Sequence, residues 1–307
     1  MGDDLELASH LEPDDVAEAT ALLAEVAAST GHQAMSEHTR LELLHGGRED
    51  FCALLLRDRN GSLEGYGQLG RHGTTWAVEI AVRPRRHDDG ERSVRLLAAA
   101  VEAVGRLGGG RLRYWAPRAS VADDRRAGQL GFTPERDLLQ LRVALPLDKG
   151  VRLAPLLEVR AFVPGQDEEA WLTVNNRAFA DHPEQGGWDM DELTERETEA
   201  WFDPAGFLLY EEGGRLAGSC WTKVHADTEP PMGEIYVISV DPDFHQRGLG
   251  RGLTVAGLDH LAEKGLKVGM LYVDGDNTAG TALYLSLGFA LDHLDRSYVL
   301  EVAATVA

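Results

Sequence analysis

With 307 residues, 43% of them hydrophobic, the chain has room for two domains with cores of their own. Its 51 acidic against 30 basic residues leave a net charge of −21, which works against binding nucleic acid or an anionic membrane surface. No apolar run reaches the ~20 residues of a membrane-spanning helix, and MGDDLELASHLEPDD is acidic where a signal peptide is basic and then apolar, so a cytoplasmic place is expected.

Taken in chain order, DDVAEATALLAEVAAST and SEHTRLELLHGG carry helical periodicity, and FCALLLRD, SLEGYGQL and TTWAVEIAV read as strands. The helix ERSVRLLAAAVEAVGRL, the strand RLRYWAP, a short helix ending in AGQLGF and the strand LLQLRVALPL follow. The same order then recurs. LLEVRAF is followed by the helices DEEAWLTVNNRAF and DMDELTERETEAW and the strands GFLLYEE, LAGSCWTKVH and EIYVISV. A glycine-rich turn, the helix TVAGLDHLAEKG, the strand VGMLYVDG, the helix TAGTALYLSLGF and the strand SYVLEV complete it. Landmarks repeat at a nearly constant offset: 158 residues from Pro84 to Pro242 and from Tyr114 to Tyr272, and 157 from Gly131 to Gly288. We therefore expect two copies of one α+β domain, 1–147 and 157–307, joined over 148–156, with Pro146, Gly150 and Pro155 breaking the periodicity around the join. Cys52 and Cys220 each fall in an apolar strand segment and read as buried thiols, which argues against a disulfide framework or a cysteine metal site.

The turn VDPDFHQRGLGRGL (240–253) stands between a strand and a helix start. Backbone N–H groups at such a start, with Gly248, Gly250 and Gly252 offering no Cβ, suit an approaching phosphate. Glycines that merely shape the turn would look the same, and a nucleotide P-loop is excluded because no GK[ST] follows. The aligned stretch of the first copy is HDDGERSV: Gly248 matches Gly90, but Gln246 and Arg247 become Asp88 and Asp89, and Gly250 becomes Arg92. Two carboxylates would repel a phosphate, so the second copy is expected to be the competent one.

The turn QRGLGRG, with Gln246, Gly248 and Gly250 and with Arg247 and Arg251 interleaved, resembles the [QR]-x-x-G-x-[GA] signature of the GNAT superfamily of N-acetyltransferases. So do Asn277 opening the helix after the fifth strand, and Tyr284 shortly before Gly288 and Phe289. The resemblance implies a mixed sheet whose fourth and fifth strands splay apart around acetyl-CoA. The pantetheine arm would lie along Ile238, Ser239 and Val240, and the pyrophosphate on His245, Gln246, Arg247, Gly248, Leu249, Gly250 and Arg251. The helix start Asn277, Thr278, Ala279, Gly280, Thr281 and Ala282 would flank the cofactor. Ile80, Ala81 and Val82 are the matching stretch of the first copy and a second candidate for CoA.

The duplicated layout and the segment NNRAFADHPEQGGW (175–188), with AWFDP, WTKVH and GEIYV after it, resemble the mycothiol synthase family of actinobacteria. The likeness covers essentially the whole chain. It implies acetyl transfer to the α-amine of the cysteinyl group on 1-D-myo-inosityl 2-(L-cysteinylamino)-2-deoxy-α-D-glucopyranoside, the last step of mycothiol biosynthesis, by a monomer that needs no metal. Glu37, Glu184, Lys223, Glu234 and Tyr272 would surround that acceptor, Glu37 reaching over from the first copy.

Such a transfer needs a deprotonated amine, a polarised carbonyl and a protonated leaving thiolate. Glu234, opening the fourth strand in GEIYV, is the candidate base; an α-amine with a pKa of about 8 makes the transfer easy. A solvated glutamate at a strand start is the plain alternative. Tyr284 is the candidate acid toward the CoA sulfur, although ALYLSLGF also has the spacing of a buried face; a buried ring can still present its hydroxyl. Where the second copy has Glu234, Asn277 and Tyr284, the first has Trp76, Ala119 and Ala127. Taken alone, Glu37 and Lys223 read as surface charges. His182, His225 and His245 lack metal-ligand spacing with one another. Two other readings stay open: an acetyltransferase for an aminoglycoside, polyamine or protein N-terminus, which the DHPEQGGW block argues against, and a non-enzymatic acetyl-CoA sensor, which intact Glu234 and Tyr284 argue against.

Overall fold

A computed structural model describes residues 4–31, 33–45, 51–84, 90–150, 156–180, 182 and 185–305, except the side chains of Glu37, His38 and His72. The chain splits into two compact units, Met1–Asp137 with Leu294–Ala307, and Leu138–His293. Along the first copy run β1 (Asp4–Ala8), α1 (Pro13–Thr30), α2 (Glu37–Leu44), β2 (Cys52–Arg57), β3 (Leu63–His72), β4 (Thr75–Val82), α3 (Glu91–Arg106), β5 (Gly110–Ala116), α4 (Val121–Gln129) and β6 (Thr133–Ala144). The second copy gives β7 (Val159–Ala161), α5 (Glu168–Ala178), α6 (Met190–Glu197), β8 (Phe207–Glu212), β9 (Arg215–His225), β10 (Met232–Val240), α7 (Leu249–Glu263), β11 (Val268–Asp274), α8 (Thr278–Ser286) and β12 (Ala290–Val302). Only β1 was not expected from the sequence. Its alternating Leu5 and Leu7 sit among acidic residues, and pairing with β2 makes it a strand.

The first unit's sheet runs β1-β2-β3-β4-β5-β12, antiparallel except for β4 with β5. The second runs β7-β8-β9-β10-β11-β6, antiparallel except for β10 with β11. The compact units therefore differ from the copies counted along the sequence. The first unit closes on β12, the last strand of the second copy, and the second unit closes on Leu138–Ala144 of β6, the last strand of the first copy.

In the second unit the strands' alternation builds two cores. Leu141, Val143, Cys220, Ile235, Leu271 and Val273 meet Leu253, Leu258 and Leu261 of α7 on one face. Close approach of α7 is possible because a Cβ on Gly257 would stand 2.4 Å from Cys220 Sγ. On the other face Trp171 of α5 and Leu193 of α6 pack on Phe207, Trp221 and Val237, with the Phe207 and Trp221 rings stacked at 4.4 Å. Each large buried side chain stabilises by ~1.5–3 kcal/mol, so these faces fix the sheet between its helices.

One break in the ladder positions the site. β10 pairs with β11 only from Met232 to Ile235, and its register with β9 shifts between Ile235 and Val237. Beyond that bulge β11 continues beside β6 to Asp274, leaving Val237–Val240 without a β11 partner. The two strands part, and the edge of β10 is left unpaired on that side. In the first unit β4 leaves β5 after Val78 in the same way, but its ladder with β3 runs from Thr75 to Val82 without a shift.

Candidate active site

The β10 edge leads directly into the glycine turn. Asp241, buried at 2% exposure, accepts from the N–H of Asp243 at 2.9 Å and is held by Arg177 at 3.2 Å, which fixes the chain where it leaves the strand. Gln246 (φ +62°) and Gly248 (φ +76°) both take the left-handed conformation just before α7 begins at Leu249. Such alternation turns successive N–H groups into one concavity, a general anion cradle. A Cβ on Gly250 would meet nothing within 4 Å, so the space beside the first turn of α7 is open. Counted residue by residue, the GNAT signature is met by Arg247, Gly250 and Gly252 rather than by Gln246, Gly248 and Gly250. Arg247 reaches Glu212 at 2.9 Å, Arg251 bonds Ser286 Oγ at 2.6 Å and His245 Nε2 lies 3.1 Å from the Val240 carbonyl.

Ile238 and Val240 are half-buried on the parted edge, whereas the Ser239 hydroxyl is engaged on the α5 side by Ser219 Oγ at 2.9 Å, itself bonded by Trp171 Nε1. Only the backbone of Ser239 remains for a ligand. After β11, Asn277 caps α8 by accepting the Gly280 N–H at 2.9 Å, with Thr278, Ala279 and Ala282 exposed and the Thr281 hydroxyl sealed without a partner. Tyr284 is 8% exposed; its ring packs on Phe289 at 5.8 Å, and burial pushes its phenol well above the ordinary value. Its hydroxyl has no hydrogen-bond partner among the described residues. A phenol so placed keeps its proton and can donate it.

Glu234 stands one residue before the strands part, directly across from Lys223 on β9 and Met270 on β11. Alternation puts Tyr272 and Asp274 of β11, Gln140 and Arg142 of β6, and Trp221 and His225 of β9 on the same face. Glu234 is only 7% exposed, and its Oε2 lies 2.7 Å from His225 Nε2. Oε1 has no hydrogen-bond partner among the described residues. The Lys223 ammonium lies 4.2 Å from the centre of the Trp201 ring, a cation–π contact rather than a purely solvated charge. Tyr272 accepts from Gln140 Nε2 at 2.7 Å, and Gln140 Oε1 accepts from Arg142 at 2.8 Å.

The loop after α5 borders this face. Asn176 ties both backbone groups of Trp188, at 2.7 and 3.0 Å. His182 Nδ1 accepts the Gln185 N–H at 3.0 Å, so its proton sits on Nε2, which donates to Asp274 at 2.9 Å. Glu184 and the side chain of Glu37 lie outside the described residues. Among the expected residues, Glu234, Lys223 and Tyr272 come together on one face. Sequence reasoning passed over His225, Gln140 and Arg142; the strand alternation of WTKVH could have flagged His225, but nothing local marks the other two.

The first copy's turn is differently filled. Gly90 (φ +80°) caps α3, yet a Cβ there would meet the Arg126 side chain at 2.5 Å. A cleft of about 310 Å³ remains beside it, lined by Gly90, Val94, Arg125, Arg126 and Gln129. Asp88 and Asp89 fall outside the described residues, and Ile80, Ala81 and Val82 lie where β4 has left β5.

The profile of the Acetyltransferase (GNAT) family matches residues 171–289. A mycothiol acetyltransferase of Streptomyces coelicolor is 44% identical over 303 residues, 97% of this chain and 95% of that one. One from Acidimicrobium ferrooxidans is 41% identical, covering 92% and 93%. Among solved structures, a GCN5-related N-acetyltransferase from Sphaerobacter thermophilus superposes with a TM-score of 0.72 at 21% identity over 98% of this chain and 97% of that one. A tandem GNAT protein from the clavulanic acid biosynthesis pathway gives 0.70 at 17% identity over 99% and 100%. At those identities the structural likeness speaks for the tandem fold alone.

Proposed function

We infer the roles of the site residues from one premise: the chain belongs to the mycothiol acetyltransferases, within the GNAT family, and carries that fold in tandem. It transfers the acetyl group of acetyl-CoA to the mycothiol precursor, 1-D-myo-inosityl 2-(L-cysteinylamino)-2-deoxy-α-D-glucopyranoside, at its cysteinyl α-amine.

In our reading the pantetheine arm pairs with the backbone of Ile238–Val240, and the pyrophosphate lies in the cradle from His245 to Arg251, with the helix start of Asn277 alongside. Glu234 Oε1 takes the ammonium proton, the amine lone pair attacks the thioester carbonyl, the C–S bond breaks as Tyr284 gives its proton to the departing sulfur, and the second proton shed by the nitrogen restores the phenol through solvent. An N–H on the parted β10 edge is the natural donor to the carbonyl oxygen as it gains charge. Lys223, Tyr272, Glu184 and Glu37 would contact the acceptor. The observation that carries this reading is Glu234 buried where β10 and β11 part, with Oε2 tied to His225 and Oε1 without a hydrogen-bond partner among the described residues. We also read the enzyme as a cytoplasmic monomer; its charge of −21 favours solubility and self-repulsion, and sedimentation tests the second point.

The test is mass spectrometry of the products after incubation with acetyl-CoA and the cysteinyl pseudodisaccharide, beside its des-cysteinyl analogue, an aminoglycoside and a polyamine. One added acetyl group, on the cysteinyl compound only, is expected. Faster acetylation of another amine would overturn the acceptor assignment.

A further inference from the structure

We propose that His225 is a positioning residue for Glu234, fixing which carboxylate oxygen acts as the base. This rests on the reading of Glu234 given above. A carboxylate only accepts, so at 2.7 Å His225 Nε2 must carry the hydrogen and donate it to Oε2. His225 Nδ1 has no hydrogen-bond partner among the described residues, and the side chain is 24% exposed. The ring is thus committed through one nitrogen to one oxygen.

The backbone makes the commitment firm. His225 pairs with Met232 across the β9–β10 ladder, and its carbonyl accepts from Thr228 Oγ1 at 3.0 Å within the turn that joins the two strands. Lys223, directly across the ladder from Glu234, has its ammonium over the Trp201 ring. Among the described residues His225 makes the one side-chain hydrogen bond to Glu234, and it engages Oε2 rather than Oε1. When the ammonium proton passes to Oε1, the Nε2–H bond to Oε2 persists and no proton moves to the ring. Without that donor the carboxylate turns about its last torsion and presents Oε1 only part of the time, which lowers turnover without changing how acetyl-CoA is held.

The experiment compares His225→Phe, His225→Gln, Glu234→Gln and the Glu234→Gln/His225→Phe double variant in the full chain. Steady-state kinetics use the cysteinyl pseudodisaccharide, and calorimetry measures acetyl-CoA binding. A charge-assisted bond of this kind leads us to expect a fall in kcat of about tenfold or more for His225→Phe, with acetyl-CoA Kd within about twofold. His225→Gln keeps an N–H at nearly the same reach and should recover most of the loss. The double variant should be no slower than Glu234→Gln, because the donor acts only through that carboxylate. His225→Ala takes the place of the Phe variant if the latter fails to fold. Wild-type kcat in His225→Phe, a Gln variant as slow as Phe, or additive losses in the double variant overturns the proposal. Glu234→Gln separates the two ideas: if that variant keeps wild-type kcat the base assignment itself falls, whereas a slow Glu234→Gln beside an unimpaired His225→Phe removes only the role of His225.

Discussion

Glu234 is 7% exposed with one oxygen tied to His225, so as the proposed base it would take the proton through the other oxygen. Glu234→Gln keeps the shape and removes the acceptance, and kcat should fall by roughly 10²-fold at neutral pH. Because an α-amine with a pKa near ~8 loses its proton unaided at higher pH, the deficit should shrink toward pH 9; a deficit that holds constant in the pH–rate profile would speak for substrate positioning instead. Tyr284 carries a second pH dependence. Burial is the largest cause raising its phenol and those of Tyr66, Tyr114 and Tyr298. The folded chain thus holds these protons more tightly than the unfolded chain, whose phenols ionise near ~10. This stabilisation is complete below about pH 10 and is lost as pH rises beyond it. Urea unfolding should show a lower midpoint at pH 10.5 than at pH 8, with the difference reduced in Tyr284→Phe; equal midpoints would contradict it. The places of Glu234 at a strand start and of Tyr284 before a GF corner could be read from the sequence, because both marks are local. For His225 the alternation of WTKVH marks only the face, and the cross-strand register that sets it beside Glu234 is not local.

At the scale of elements, function depends on how β10 ends and α7 begins. The bulge after Ile235 frees the strand edge, and the left-handed pair Gln246 and Gly248 turns the next N–H groups toward one point. Gly250→Asp tests the cradle cleanly, because its new side chain enters open space and brings only volume and charge where a phosphate would lie. Acetyl-CoA Kd should rise at least tenfold, a loss of ~1.4 kcal/mol, in a variant that melts like the parent. Unchanged affinity by calorimetry would move the pyrophosphate elsewhere. The first copy offers no silent control: at Gly90 a side chain would meet both a φ of +80° and the Arg126 side chain. The glycine turn and the Asn277 cap could be read from sequence because turn chemistry is local. The bulge could not, since EIYVISV has the composition of an unbroken strand and only its partners reveal the shifted register.

Across the whole molecule, the least legible feature is the trade of closing strands. LLQLRVA and SYVLEV have the same coarse pattern of β-forming residues, so hydrophobicity cannot say which sheet each one closes. Specific side chains can. Arg296 of β12 forks onto Asp137 at 2.6 and 2.7 Å and reaches Asp124 at 2.8 Å, while the Tyr298 hydroxyl donates to Asp124 at 2.7 Å and its ring stacks on Tyr114 at 5.7 Å. Beside them Glu135 is drawn down to about 2 by its hydrogen bonds to Arg113 and Arg111. These partners belong to the first unit and suit β12. In the second unit, Gln140 meets Tyr272 while Leu141 and Val143 enter the core under α7. A fragment of residues 157–307 would keep the cofactor residues proposed for the second copy and Glu234 but lose the strand beside β11, with Leu141 and Val143, each worth ~1.5–3 kcal/mol of burial. Its own β12 is a poor substitute, because the 157-residue offset puts bulky Tyr298 in the place of Leu141. A fragment of residues 138–293 instead contains the complete sheet of the second unit. The 138–293 fragment should melt at the higher temperature and bind acetyl-CoA more tightly by calorimetry, although it cuts across both sequence copies. If 157–307 proves the better folded and tighter binder, the closing strands are interchangeable and the polar partners do not decide which sheet each one joins.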